Sequence, residues 1–236
     1  MSVESETSEN PKSSGRRARR QAETRERLLS AARKVFANTG VANATISQIA
    51  KTADLGFGTF YLHFQTKEEA YLAVINEGFA KLDEQLDEIM EVACGQQISW
   101  SEVIKLQIRQ FFDFAGDNYD LFLVGFAGLD IGMRSGVELR RHYADSFSQM
   151  LTQEINRYRV NQISDKQLEL ICTGIVAMLS RSAIWWMQQD ESDTQSELSI
   201  EAVSELVSQF AISGITNALP FLKQYIAIYT KFKKVS

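Results

Sequence analysis

Thr59, Tyr61 and His63 stand at alternate positions in the stretch Gly56-Phe57-Gly58-Thr59-Phe60-Tyr61-Leu62-His63-Phe64. A hydroxyl, a phenol and an imidazole are hydrogen-bonding groups. Phe60 and Phe64 are four apart, so a helix here would bury that pair and turn the three polar residues largely outward. A short helix with polar and aromatic hydrogen-bonders on its exposed face is how a helix-turn-helix reads a major groove. The alternative is an ordinary helical hairpin with a polar outer face. Catalytic chemistry finds little support. The chain has no Gly-rich phosphate loop, nucleophile elbow or metal triad, and only His63 and His142 as histidines.

The neighbouring residues are those needed to hold such a helix in place. Thr45 can cap a preceding helix, and Gln48 three residues later completes a capping box. Ile46, Ile49 and Ala50 then share one face. Asp54-Leu55-Gly56 breaks that helix, and Gly56 is an acceptable N-cap for the next. Upstream, Thr24 to Thr39 is amphipathic, with Leu28, Ala32, Val35 and Phe36 on its apolar face and Gly40 as its stop. Downstream, Thr66 with Glu69 makes a second capping box. It opens a helix whose apolar positions run through Leu72, Ile75, Phe79, Leu82, Leu86 and Ile89 to about Cys94.

From about Arg20 to Val74 the chain resembles the DNA-binding domain of the TetR family of bacterial transcription regulators. The resemblance rests on the helix closed by Gly40, on Thr45-Ile46-Ser47-Gln48-Ile49-Ala50, on Gly58 to Phe64, and on Thr66-Lys67-Glu68-Glu69-Ala70, in the family's order and spacing. Asp54 stands where the family usually has Gly, Gly56 where it has a hydroxyl residue, and Phe57 where it often has a basic or polar one. Asp tolerates a left-handed turn position better than most residues. The resemblance implies that Thr59, Tyr61, His63 and Lys67 mainly hold phosphates. Thr45, Gly56 and Phe57 complete the expected DNA-facing set. The Phe57 ring could touch a thymine methyl or pack within the domain.

Charge separates the two ends of the chain. Residues 1–70 carry eleven Lys/Arg against eight Asp/Glu, a net +3, whereas residues 71–236 carry fourteen against twenty-two, a net −8. Positive charge therefore gathers at the DNA end, and the remainder is acidic enough to be repelled by phosphate. Residues 1–19 are expected to form a disordered basic tail, with Arg16 and Arg17 in an arm that meets phosphates or the minor groove.

Two prolines, 44% hydrophobic residues and long 3.6-period runs point to an all-α protein. We expect an N-terminal three-helix helix-turn-helix DNA-binding domain over 20–66. A helical-bundle ligand-binding and dimerisation domain should follow over 67–236. Helices are expected near Ser99 to Phe114, Tyr119 to Phe126, Val137 to Val160, Asp165 to Gln189 and Ile200 to Leu219. An extra amphipathic helix is expected from Pro220, and looser connections over Ala127 to Gly136 and Asp190 to Ser199. By resemblance, the last two long helices of the family pattern form a homodimer and the domain encloses a small-molecule pocket. Among many aromatics, Phe112, Phe126, Phe147 and Trp186 are the candidates to line it. Arg109, Arg140, Arg141, His142 and Arg181 could pair with an acidic headgroup or be surface charges.

Cys94 and Cys172 are too few and too distant for a disulfide framework, and no metal-ligand cluster or cofactor motif is evident. The apolar stretch Ile171 to Met187 is interrupted by Arg181 and is short for a membrane span of about 20 residues. We expect a cytoplasmic, non-enzymatic, sequence-specific DNA-binding regulator without membrane partners. It would act as a repressor, released from a near-palindromic double-stranded operator by an apolar or aromatic effector. The alternative is a helical small-molecule sensor or adaptor without specific DNA binding. A gel-shift with salt titration separates the two.

Overall fold

The computed structural model describes residues 11–96, 98–127, 134–157, 163–189 and 198–219. These residues are all-helical, as the sequence pattern predicts. The chain divides into two compact units, residues 1–74 and 75–236, and the division falls inside one long helix. The expected extra helix from Pro220 lies outside the described residues, as does most of each of the two looser connections.

The first unit holds α1 (Pro11–Asn43), α2 (Ile46–Thr52), α3 (Phe57–Tyr61) and the start of α4 (Lys67–Gln96). Helix α1 is broken where the sequence places its stop. Gly40 sits at φ 72°, ψ 154°, a backbone region open to glycine at little cost, and Val41 to Asn43 form a further turn beyond it. The N-terminal end differs from expectation. Helix α1 reaches back to Pro11, so Arg16 and Arg17 lie on an exposed helical surface and not in an unstructured tail. Arg and Ala favour helix, and Arg19 pairs with Glu23 one turn on at 3.0 Å.

The core of this unit is small and apolar: Leu28, Ala32, Phe36, Ile49, Phe60 and Ala70 are at most 2% exposed. Phe36 meets Tyr71 edge to face, and Phe60 packs against Phe64. Each fully buried aromatic or aliphatic side chain of this kind contributes roughly 1.5–3 kcal/mol.

The second unit contains the rest of α4, α5 (Trp100–Asp117), α6 (Tyr119–Phe122), a π-helical turn (Leu123–Ala127), α7 (Arg134–Arg157), α8 (Asp165–Met187) and α9 (Ile200–Ala218). Ser99, Ser164 and Ser199 cap α5, α8 and α9. The cap of α8 is a full box with Gln167, which the sequence reading missed. An aromatic cluster fills the centre. Phe79 touches Phe114, Phe126 and Tyr143, Phe111 touches Phe122, Phe126 and Tyr143, and Phe122 stacks on Phe126 at 4.7 Å. Two glycines let the helices approach. A Cβ on Gly78 would lie 2.5 Å from Leu121, and one on Gly125 would lie 2.7 Å from Leu139 and 2.9 Å from Phe79.

Candidate nucleic-acid interface and ligand cavity

Helix α2 and the turn that leads to α3 are held by side chains that reach main-chain groups. Thr45 accepts from the Gln48 N–H at 3.2 Å, and the Gln48 side chain accepts from the Thr45 N–H at 2.9 Å, closing the expected box. Asp54 takes the left-handed position at φ 52°, as its residue type allows. Arg27 donates to the carbonyls of Ala53 and Asp54 at 2.7 and 3.2 Å and so fixes the end of α2. No sequence signal singled out Arg27, because its partners are main-chain atoms 26 and 27 residues away.

Helix α3 is shorter than expected. It ends at Tyr61, where Leu62, His63 and Phe64 tighten into a turn whose N–H groups bond back to Thr59 and Phe60. Its N-cap is Gly56, with no side-chain cap. Phe57 and Tyr61, one turn apart, are 53% and 49% exposed, and their rings meet edge to face at 5.3 Å. Thr59 and His63 are half-buried. Burial, and then the charge of Arg25, hold the His63 imidazole below its usual range, so at neutral pH it is an uncharged hydrogen-bonder. Arg25 itself lies over the Phe64 ring at 5.2 Å. Ser47 and Lys51, on the exposed side of α2, line a shallow surface depression with Gly56 and Phe57. They were not among the residues singled out from sequence.

Lys67, expected at a phosphate, has main-chain partners within the unit. Its ammonium group donates to the carbonyls of Val41, Ala42 and Ala44 at 2.9, 2.8 and 2.9 Å. An ammonium has three donors, and here all three are engaged. Lys67 thus closes the turn after Gly40, and holding a phosphate would require it to release those carbonyls. Thr45 is likewise committed to its cap. Gly56, Phe57 and Tyr61 remain the exposed members of the set around α3.

In the second unit a cavity of about 450 Å³ lies among α4, α5, α7 and α8. Leu86, Met90, Ile108, Phe111, Phe147, Met150, Val176 and Leu179 form its apolar wall. Asp83, Asp87, Glu91, His142, Tyr143 and several glutamines supply the polar part. Of the four candidates named from sequence, only Phe147 lines it. Phe126 stands behind the wall, in ring contact with Phe111 and Tyr143. Phe112 is fully buried against Trp186, whose indole N–H donates to the Leu198 carbonyl at 3.0 Å. That pair is packing away from the cavity. Aromatic composition does not reveal which rings face a void. The wall is largely aliphatic and methionine, which sequence periodicity cannot tell from core.

The basic residues considered for an acidic headgroup also have other roles. Arg109 bridges Asp113 and Glu201, Arg141 is 3.8 Å from Asp145, and His142 Nε2 is 3.2 Å from Asp83. Burial pushes the Cys172 thiol up to about 11, so it packs as a small apolar side chain. Asp165–Met187 is, among the described residues, the one helix long and apolar enough to cross a membrane by length and composition.

The sequence profile described as bacterial regulatory proteins, tetR family, matches residues 28–74, the helix-turn-helix segment. The uncharacterized HTH-type transcriptional regulator TtgW of Pseudomonas putida is 32% identical over 46% of this chain and 77% of its own length. The chain belongs to the TetR family. It is a DNA-binding transcriptional regulator. The likeness to this family extends past the reader. The fatty acid metabolism regulator protein of Bacillus subtilis is 23% identical over 80% of this chain and 94% of that protein. The crystal structure of FadR from Bacillus subtilis in complex with stearoyl-CoA superposes with a TM-score of 0.62, at 22% identity, over 80% of this chain and 98% of that one. At that identity the likeness is one of fold.

Proposed function

We propose that this TetR-family chain is a cytoplasmic homodimeric repressor, released from a near-palindromic operator when a small molecule with a large apolar part enters the second unit. The observation that carries this reading is the 450 Å³ apolar-walled cavity in a chain that also carries an exposed helix-turn-helix face. The Bacillus subtilis relative of the same fold is described with an acyl-CoA. Helix α4 contributes Asp83, Met90 and Glu91 to the cavity and Lys67 to the closure of the reader, so one helix carries both functions. A ligand that prefers one setting of α4 would alter DNA affinity, by about 5–150-fold for a typical coupling of ~1–3 kcal/mol.

Dimerisation has its own support. Leu170, Gly174, Ala177, Arg181 and Trp185 form an exposed stripe at helical spacing on α8, and Leu206 and Phe210 are exposed on α9. Leu170, Trp185 and Phe210 are 73%, 53% and 65% exposed, an unusual display for a single chain. Two readers on a two-fold axis would then sit roughly 34 Å apart on the duplex.

For the DNA face we propose Phe57 at base edges, Tyr61, Thr59 and neutral His63 as hydrogen-bonding and packing contacts, Gly56 where the backbone approaches, and Arg16 and Arg17 as phosphate contacts. The test is selection of bound genomic fragments by the purified protein, followed by gel-shift with salt titration on the selected site. Tight, salt-dependent, site-specific binding is expected. Equal affinity for selected and random duplex at every salt concentration would favour a sensor without specific DNA binding.

A further inference from the structure

The cavity has a polarity that its apolar wall does not suggest. Asp83, Asp87 and Glu91 recur every four residues on α4 and line it together. At ~1.5 Å rise per residue, their Cα atoms form a row with steps of about 6 Å. Among the described lining residues there is no Lys or Arg. The one basic side chain is His142, and it is bonded to Asp83. Asp87 and Glu91 have no ion-pair partner among the described residues.

Tyr143 supplies an independent observation. It lines the same cavity, is only 6% exposed, and its hydroxyl has no hydrogen-bond partner. Buried tyrosine hydroxyls usually find one, and an orphan is costly. Among the described residues Asp83 is the one group placed to take its proton, and the contact between them falls short of hydrogen-bond geometry. Burial first, and the Asp83 charge second, keep the phenol protonated. It therefore keeps a proton to donate, at a buried position in the cavity wall.

We propose that the cavity takes an amphiphilic cation, its apolar body against Met90, Phe111, Phe147 and Leu179 and its ammonium-type head beside Asp83, Asp87, Glu91 and the Tyr143 hydroxyl. The proposal rests on the ligand-release reading above and narrows it to a chemical class. A carboxylate or the phosphates of a coenzyme A head would meet the acidic row unfavourably, since like charges repel and no Lys or Arg of the described lining offsets them.

Three probes with the same ten-carbon tail test this: decylammonium, decanol and decanoate, with decanoyl-CoA as a fourth. The full chain is titrated with each by calorimetry at pH 7, and each is added to the complex with the selected operator. Decylammonium should bind about tenfold or more tighter than decanol, with decanoate and decanoyl-CoA weaker still. Raising salt should narrow that spread. The double substitution Asp87→Asn with Glu91→Gln, both at exposed positions, should shrink the decylammonium-to-decanol ratio about tenfold. Tyr143→Phe should lower decylammonium affinity while leaving a folded, cooperatively melting protein. Tighter binding of decanoate or decanoyl-CoA, an unchanged ratio in the double variant, or no binding of any probe overturns the proposal. If decylammonium binds with the expected preference but leaves the operator complex intact, the ligand-release reading fails and the cation site stands. If only decanoyl-CoA releases the operator, the reverse holds.

Discussion

The two units of this molecule differ in what their long-reaching cations hold, main-chain carbonyls in the first and carboxylates in the second. In the first, Lys67, Arg27 and the Thr45–Gln48 pair reach main-chain groups across short helices and fix turns that the small core alone would leave loose. In the second, long helices meet through aromatic rings, serines cap helix ends or bond within their own helices, and the Tyr143 hydroxyl goes unpaired beside a cavity. A helix of five residues has too few internal hydrogen bonds to hold its own shape, so the reader needs tethers from outside it. The bundle has apolar contact in excess and can tolerate a void. Rigidity therefore belongs to the unit that must match a duplex, and adaptability to the unit that must admit a ligand.

The contrast is broken most severely by removing the ring at its aromatic centre. Phe79 is 2% exposed and touches Phe114, Phe126 and Tyr143. Phe79→Ala should cost about 3–5 kcal/mol, read by urea unfolding. A loss below about 1 kcal/mol would mean that the cluster is redundant and the contrast overstated.

Next in size is the outer face of the bundle. Phe210 is 65% exposed in the single chain, so Phe210→Asp can act on assembly without disturbing the fold. Burying a carboxylate at a packed contact is expensive, and a hundredfold weaker dimer, about 2.7 kcal/mol, is expected by sedimentation. Operator affinity should fall with it. Ile175 is only 8% exposed and serves as the contrast, because a charge there should unfold the protomer. A Phe210→Asp variant still dimeric at micromolar concentration would move the interface elsewhere.

Much of this was readable in the sequence wherever a local rule applied. Gly40, the Thr45–Gln48 box and Asp54 in the left-handed region each involve residues within a few positions of one another, so the pattern carries the geometry. What escaped depended on distance along the chain. Lys67 meets carbonyls 23 to 26 residues away, and Arg27 does the same, so a positive charge beside the reader looked free for phosphate. The cavity wall escaped for another reason. Ile108, Met150 and Leu179 have the spacing of core residues, and only the relative placement of α4, α5, α7 and α8 leaves a space before them. The arginines that open the chain looked disordered because Met1 to Ser14 is polar, yet the helical preference of Arg and Ala extends α1 to Pro11.

A smaller and more discriminating test falls on the reader. Lys67→Met keeps the aliphatic stem and removes the ammonium that holds three carbonyls. Water can reach those carbonyls in part, since Lys67 is half-buried, so a loss of about 2 kcal/mol is expected and not the full value of three charge-assisted bonds. Thermal unfolding would show it. DNA affinity should drop while the slope of log affinity against log salt stays as it was. A flatter slope with unaltered stability would return Lys67 to the phosphate backbone.

The smallest expected effect concerns the more exposed of the two aromatics on α3 that the reader leaves outward. Phe57 opens α3, is 53% exposed, and has Tyr61 as its only ring neighbour among the described residues. A ring so placed adds little to the core, and removing it should change stability by less than about 0.5 kcal/mol. At the start of a reading helix the same ring can lie against a thymine methyl in the major groove, where an apolar contact discriminates without a hydrogen bond. Phe57→Ala should then relax preference at one or two positions of each half-site by about 1 kcal/mol, with phosphate contacts and salt slope retained. Selection of bound sequences with the variant, compared with the parent, measures this position by position. Tyr61→Phe, which keeps the ring that supports Phe57, should leave the base preference in place. If Phe57→Ala instead lowers the melting temperature by several degrees and selects the same sequences, the aromatic pair belongs to the tethers that hold the reader, and the bases are read by other groups on α2 and α3.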